Sequence, residues 1–516
     1  MNLIDRAIAG LSPAWAFRRA QARSALNVLA HYDAATTGNR ASSWKRSSSD
    51  ADASAGNRAR IAFTGRDMIR NTPLALRGQT VIANNVVGDG IIWKVNGGTE
   101  RRKKALRKVL KKHFDTTAID ANGRQNLYGL QKLSMKAVVA DGEVLIRRRR
   151  RQNRDGFTLP FQIEVLEIDH LDTTRDGLLG LSGVEGEVRE GIEYDAIGRR
   201  IAYWLFPRHP GGLRTLRGSL ESRRVPASEI IHVYRQDRPG QMRGVSWFAP
   251  VALKLQDLDD SNDAQNMRQK IAACFAAFRV SPEADYAPST TETADVAGLG
   301  TLVPGRIQNL SPGESIVFSN PPKVDGYDTF TRLVLQMVAS GLGITYEALS
   351  GDLSQVNFSS ARMGRMEMDR NVSDWQWLMM IPQMMQPIGA WALEAWSVGN
   401  GLKPDDDLTL DWVPPHRMLV DPAREIPAMA AEVRAGFASR QGKIRTLGYD
   451  PEEILAEQIE DRAAAEENKL RFDSDLHFGV VNQGGAPVSA SEPDDDDGKS
   501  AKPKPAKDEE DDDVQE

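Results

Sequence analysis

Four carboxylates, Asp257, Asp259, Asp260 and Asp263, crowd into seven residues of a segment that otherwise reads as helix, "LKLQDLDDSNDAQNMRQK". Oxygen ligands at this density suit a hard divalent cation, and equally a solvated face that repels other anions. The second reading is adopted, because nothing else in the chain supplies a metal or catalytic set. The seven histidines, at positions 31, 113, 170, 209, 232, 416 and 477, contain no i, i+4 pair. His170, following "EVLEID", reads as a structural residue at a strand end. The single cysteine, Cys274, excludes an internal disulfide and the usual thiolate zinc site. "DGKS" at 497–500 has Pro493 where a P-loop needs its first glycine, and it lies in an acidic tail that offers no strand or helix to shape a phosphate cradle. No HExxH occurs, and "GLSG" at 180–183 does not complete a nucleophile elbow. The expectation is a chain that is not an enzyme and carries no cofactor.

Charge is distributed unevenly. The 516 residues carry a formal net charge of −5, yet the segment from Glu492 to Glu516 alone holds 12 acidic and 4 basic residues. Residues 101–154 hold 17 Lys and Arg against 4 acidic residues. Such a stretch attracts phosphates or acidic surfaces, or is simply a solvated helix face followed by a basic hairpin. No apolar run approaches the ~20 residues of a membrane span, and Arg18, Arg19 and Arg23 interrupt the apolar positions of the N-terminus, which reads as a basic amphipathic arm. The chain is expected to be soluble and made in a reducing compartment.

The elements that must position these residues follow from periodicity. Residues 35–57 are linker-like, and helices follow, with Pro73 and Gly88 as punctuation. From Val138 to Tyr234 the pattern is that of strands, with a hairpin around Asp195–Gly198. A long helix runs from about Pro250 to Phe278. Its first stripe, Val251, Leu255 and Leu258, lies about half a turn from its second, Met267, Ile271, Cys274 and Phe278, with the acidic section between them. One helix thus serves two packing environments. A proline-punctuated module at 280–322 has two strand-like runs, and a second helix follows to about Leu342. Next comes "GDLSQVNFSSARMGRMEMDRN" (351–371), a Gly/Ser loop leading into a helix in which seven of the fifteen methionines lie between Met363 and Met385, with kinks at Pro382 and Pro387. Short helices follow Asp421, and beyond about Val480 the composition is that of a disordered tail.

This order of elements resembles the portal proteins of tailed bacteriophages, specifically the lambda-type family. The resemblance is carried by "IHVYRQDRPGQMRGVSWFAP" (231–250), "GITYEALSGDLSQVNFSSARMGRMEMDR" (343–370), "DMIRNTPLALRGQTVIANNVVGDGI" (67–91) and "WVPPHRMLVDPAREIPAMAAEVRAGFASR" (412–440), and it spans residues 60–470. It implies an α+β portal fold and a ring, usually of twelve subunits, at one capsid vertex, through which double-stranded DNA is packaged and ejected. It also implies a terminase large subunit, major capsid and scaffold proteins and a head-tail connector protein as partners, no membrane, a place in the virion, and assembly in the host cytoplasm. Laid over this sequence, the family's parts are a basic arm and linker (1–59), a mixed α/β wing (60–240), stem helix 1 (241–279), a small α/β clip (280–322), stem helix 2 (323–342), a tunnel loop (343–360), a kinked wing helix (361–420), crown helices (421–479) and the acidic tail (480–516).

Under this resemblance the carboxylates at 257, 259, 260 and 263 line the channel and let DNA slide, since each Lys or Arg contact with phosphate would add affinity. Gly351, Ser354, Ser359 and Ser360 let the tunnel loop move, while Gln355, Val356, Asn357 and Phe358 offer modest contacts, with no Lys or Arg between Gly343 and Ala361 to grip phosphate. Arg362 and Arg365 anchor the loop's end. The methionines are either an adaptable packing element or plain core, and for most of Met363, Met366, Trp375, Met379 and Met380 core is the reading. The basic stretch 101–154 lies outside the channel, at subunit contacts, or against packed DNA. Two other classes stay open: a non-enzymatic nucleic-acid-binding structural protein of another kind, with "RRRRRQNR" (147–154) as its footprint, and an ATP-using packaging enzyme, which the absent P-loop opposes.

Overall fold

Helices α1 (Ala55–Asn71) and α2 (Pro73–Val87) are separated by Thr72, which Pro73 forces into an extended conformation while the proline itself takes the first helical position. In this computed structural model the described residues are 50–52, 55–176, 187–212, 221–273, 277–280, 315–318, 326–399, 408–415, 421–447, 449 and 451–470. They belong to two units, 1–415 and 416–516. The N-terminal arm and the acidic tail that the sequence suggests lie outside the described residues.

In the first unit, strand β1 (Ile92–Asn96) and helix α3 (Glu100–Phe114) precede α4 (Leu127–Asp141). The strand pattern expected from Val138 begins only at β2 (Glu143–Arg150), because the apolar run "AVVA" completes α4. A short apolar run fits a buried helix as well as a strand. The helix stops at Gly142, whose φ of 93° suits glycine, and a β-carbon there would sit 2.2 Å from the Val245 carbonyl carbon. Strand β2 is central in an antiparallel sheet between β3 (Phe161–Leu166) and β8 (Ile230–Tyr234), with Ile146 opposite both Val165 and Ile231. A second antiparallel sheet orders β4 (Glu187–Arg189), β5 (Ile192–Tyr194), β6 (Arg200–Leu205) and β7 (Arg223–Pro226) consecutively, and its β5–β6 hairpin turns through Asp195–Gly198 as expected.

Helix α5 spans Ala252–Ala273 and ends short of the expected Phe278, because residues 277–280 form strand β9 (Ala277–Val280), paired antiparallel with β10 (Ser315–Phe318). The remainder of the 280–322 module, including the strand-like run "GTLVPGRIQNL", lies outside the described residues. Of the two stripes on α5, Val251, Leu255 and Leu258 are buried and Met267 is exposed; the side chains of Ile271, Cys274 and Phe278 lie outside the described set. Helix α6 (Tyr327–Leu342) returns and is followed by α7 (Tyr346–Ser350) and α8 (Phe358–Asp374). Helix α8 continues into an eleven-residue π-helical segment, Trp375–Met385, and then α9 (Gln386–Gly399). The expected kink at Pro382 is thereby absorbed: a proline lacks the N–H and crowds the carbonyl four residues back, and the wider i→i+5 winding relieves both. Strand β11 (Thr409–Val413) closes the unit by pairing antiparallel with β1, from Ile92 opposite Val413 to Asn96 opposite Thr409. One large core runs from Met68 through the π-helical methionines to Trp412, and a smaller one fills the second sheet around Ile192, Tyr203 and Leu205.

The second unit contains α10 (Pro422–Arg434), α11 (Arg440–Thr446) and α12 (Pro451–Glu467). Neither α10 nor α11 buries a residue, and polar contacts such as Arg440 Nη2 to Gln458 Oε1, 2.8 Å, join the short helices.

Candidate functional site

The expected loop at 343–360 is an open turn of seven residues, 351–357, between α7 and α8. Phe358, Ser359 and Ser360 are its exception: they already form the first turn of α8. Both ends of the turn are tied. Gly351 caps α7 in the left-handed region, φ 76°, so its role is conformational and fixed. Asp352 accepts hydrogen bonds from Tyr346 Oη at 3.0 Å, Arg332 Nη2 at 3.2 Å and Ser354 N at 3.0 Å. The Ser354 bonds, then Tyr346 and Arg332, hold its carboxyl down at about 2. At the other end Asn357 and Ser360 form a reciprocal capping box, with Ser360 N to Asn357 Oδ1 at 2.8 Å. Between these fixed ends Leu353, Ser354 and Gln355 are exposed and Val356 is half-buried.

Sequence reading missed Asp352, although an Asp two residues before a Ser is a turn signal. Arg362 and Arg365, expected to anchor the loop's end, stand on the exposed side of α8. Met363 and Met366 are also exposed, against the core reading, whereas Trp375, Met379 and Met380 are buried as expected. Met379, Met380, Met384 and Met385 are buried within the π-helical segment itself, where the Trp375 and Trp247 rings meet tilted, with centres 4.8 Å apart, and Gln376 Nε2 donates to Val86 O at 2.8 Å. Unbranched thioethers suit the irregular spaces beside a widened helix.

The four carboxylates of α5 divide. Asp257, Asp260 and Asp263 are exposed on the side away from Val251, Leu255 and Leu258. Asp259 is half-buried and accepts a hydrogen bond from Thr72 Oγ1 at 2.9 Å, so it joins α5 to the start of α2. Helix α6 packs on α5 and carries its own outward row, Phe330, Leu333 and Met337, each about half exposed. At 100° per residue these three fall within roughly 60° of one another, on a flank about 110° round from buried Val334, Val338 and Leu342.

The basic stretch also divides. Arg148 to Arg151 are engaged: Arg148 Nη1 reaches Glu394 at 2.6 Å between the rings of Phe161 and Trp391, Arg149 pairs with Glu164, Arg150 with Glu229, and Arg151 Nε donates to Gln162 Oε1 at 2.8 Å. Four of the six arginines of "RRRRRQNR" are thus tied to the fold's own side chains. Five of the eight cations of α3, Arg101, Lys104, Lys108, Lys111 and Lys112, are exposed on its outer face, while Arg102, Lys103 and Arg107 are half-buried, Arg102 over the Trp396 ring.

The family described as "Phage portal protein, lambda family" matches residues 37–376. The chain belongs to the lambda family of phage portal proteins. It is 26% identical over 414 residues to the probable portal protein of Halomonas phage phiHAP-1, covering 77% of this chain and 78% of that one. It is 22% identical over 480 residues to the portal protein of Escherichia phage N15, covering 81% and 86%, and 24% identical over 324 residues to portal protein B of Escherichia phage lambda, covering 54% and 58%. Among solved structures, the neck of a native GTA particle computed with C12 symmetry is similar at 16% identity and a TM-score of 0.44, covering 77% of this chain and 94% of that one. The family assignment rests on the sequence matches.

As a portal protein the chain is a structural component of the virion. It forms the ring-shaped channel at one capsid vertex through which double-stranded DNA is packaged and ejected. A portal needs a rigid frame, and here its centre is a buried ionic group that the sequence did not disclose. Glu143, the first residue of β2, accepts hydrogen bonds from Arg243 Nη2 at 2.7 Å, His232 Nε2 at 2.8 Å and Gly244 N at 2.9 Å. Burial alone would raise its pKa, but Arg243 and then His232 overcome that and hold it well below the usual carboxylate range. Arg243 continues to Glu190 Oε2 at 2.9 Å, Glu190 to Arg58, and Arg58 to Asp52 at 2.8 Å. The group joins both sheets to α1 and borders a cavity of about 440 Å³. Beside it, Glu167, Asp169 and His209 lie close enough together for a metal, but Arg66 already bonds Asp169 and lies 3.6 Å from Glu167.

Proposed function

We propose that α5 and α6 form the channel-facing stem of a twelve-subunit ring, with Asp257, Asp260 and Asp263 toward the DNA and the Phe330, Leu333 and Met337 row against a neighbouring copy. The observation that carries this reading is one helix pair bearing two unlike outer faces. Apolar side chains repeating on one side of a helix gain by being covered, whereas carboxylates facing a polyanion are repelled and do not bind it. Asp259 then supports the stem from behind and does not line the channel. Turn 351–357 is the tunnel loop, its tip Leu353–Val356 touching DNA through uncharged groups while Asp352 and the Asn357–Ser360 box hold its ends. Residues 280–322 are the clip that docks the terminase large subunit and, later, the head-tail connector; the other units fill the wing and crown roles set out above. Capsid and scaffold proteins meet the ring during assembly in the host cytoplasm, and the chain hydrolyses no nucleotide.

Light scattering after size exclusion should give a mass near twelve times that of one chain, with rings in negative stain. The triple variant Phe330→Ser, Leu333→Ser, Met337→Ser should shift the population to monomers that keep the wild-type circular dichroism spectrum. Rings undiminished in that variant would sink the stem assignment.

A further inference from the structure

The outer face of α3 has a different character from every other basic segment described. Leu106, Leu110, His113 and Phe114 turn inward. Arg101, Lys104, Lys108, Lys111 and Lys112 are exposed and, at 100° per residue, share a sector of roughly 100° opposite the buried side. None of the five enters an ion pair among the described residues; the one acidic residue of the helix, Glu100, is held by Lys103 at 2.7 Å. Five cations over eleven steps of a helix place one charge per roughly 4 Å of axis, a linear charge density of the same order as one strand of a duplex, which carries one phosphate per ~3.4 Å of duplex axis.

We infer that this face of α3 docks double-stranded DNA by its phosphate backbone, at a site separate from the acidic face of α5. An acidic protein surface is the less suitable occupant. Lysine is depleted at protein interfaces, which are anchored by aromatic and apolar side chains. The exposed sector of α3 carries no apolar side chain larger than Ala105. The lack of exposed aromatic groups there also removes the stacking platform that single strands require. Lysines act as point charges without a bidentate fork, so binding is independent of sequence. Function and geometry agree on the ligand: the DNA that this protein passes is a duplex, and the face presents five cations on one side of a helix, none in an ion pair among the described residues. The two surfaces divide the work by sign, repelling DNA that must slide and holding DNA that must stay.

The test is fluorescence anisotropy of a labelled 20-base-pair duplex of arbitrary sequence with the assembled full-length protein, at several salt concentrations. The quadruple variant Lys104→Gln, Lys108→Gln, Lys111→Gln, Lys112→Gln should weaken binding at least roughly tenfold at low salt. It should also flatten the slope of log K against log salt by about 3 to 4, near 0.9 per lost phosphate contact. A charge-matched control on exposed cations outside α3 and α5, Arg60→Gln, Arg70→Gln, Arg424→Gln, Arg434→Gln, should bind as wild type. Ring mass, read on the same samples, separates failure of this site from failure of assembly. Wild-type protein that does not bind the duplex, or equal effects in both variants, would overturn the inference. So would unchanged duplex binding in the α3 variant accompanied by lost incorporation into proheads, which would assign the face to an acidic protein instead.

Discussion

Two buried histidines set the acid sensitivity of this protein. Burial pushes both His113 and His232 down to about 4; His232 is drawn back only partly by Glu143. An unfolded chain protonates them near 6.5, whereas the folded one resists until about 4, so the folded state loses stability as pH falls across that window. The depressed Glu143 adds a loss in the same direction at still lower pH, since it is ionised in the folded state where the unfolded chain has already taken up a proton. Asp141, raised to about 6 by burial against the pull of Arg66, works in the opposite direction but is one group against two. Urea midpoints should therefore be lower at pH 5 than at pH 7.5. His113 lies against Phe114 and Phe161 with no hydrogen-bond partner for either ring nitrogen among the described residues, so His113→Leu should raise the melting temperature and flatten that pH dependence. Glu143→Ala should do the reverse: a buried guanidinium left without its carboxylate costs about 3–5 kcal/mol, visible as a large drop in melting temperature. An unchanged melting temperature would mean that water or Glu190 replaces the lost partner.

At the level of elements, the turn 351–357 and the outer face of α5 are the places where sequence change should alter DNA handling without altering assembly. Replacing Gln355–Phe358 by Gly-Ser should leave ring mass normal and reduce nuclease-protected genome per particle. Reversing Asp257, Asp260 and Asp263 to lysine should slow packaging in proportion to added salt sensitivity, because each new cation can release counterions from the passing backbone. How much of this was legible beforehand depended on range. The stripe Val251, Leu255, Leu258 and the hairpin at Asp195–Gly198 follow from local spacing, and both are where the residues say. The end of α5 and the start of β2 were misplaced, since "AVVA" and "CFAAFRV" satisfy either period. Asp259 looks like its three neighbours in sequence, and only the fold brings Thr72 to it. Glu143 lies 89 and 100 residues before His232 and Arg243, and no spacing rule connects it to them. The exposed Met363 and Met366 show the converse limit: residue type suggests a core, and position on the helix decides.

For the whole molecule, the clip provides a discriminating experiment. Deleting residues 285–297 should preserve ring mass and abolish retention of the terminase large subunit in a pull-down; retained docking would move the contact elsewhere. Rings free of terminase should show no steady ATP turnover, and turnover lost on Lys499→Ala would reverse that reading. The pairing of β1 with β11 has a consequence in time. Residues 92–96 are made early, but their partner at 409–413 leaves the ribosome only after roughly 300 further residues, which at about 5–20 residues per second is some 15–60 seconds. Throughout that interval Val95 and the inner face of α3 lack part of their cover, and an open strand edge invites pairing with another nascent chain. A protein that must meet many copies of itself at one vertex therefore has reason to complete each chain before it meets the next. Slower translation at low temperature should lengthen the exposed interval and raise the fraction lost to aggregates, measurable as the pelleted share of pulse-labelled chains.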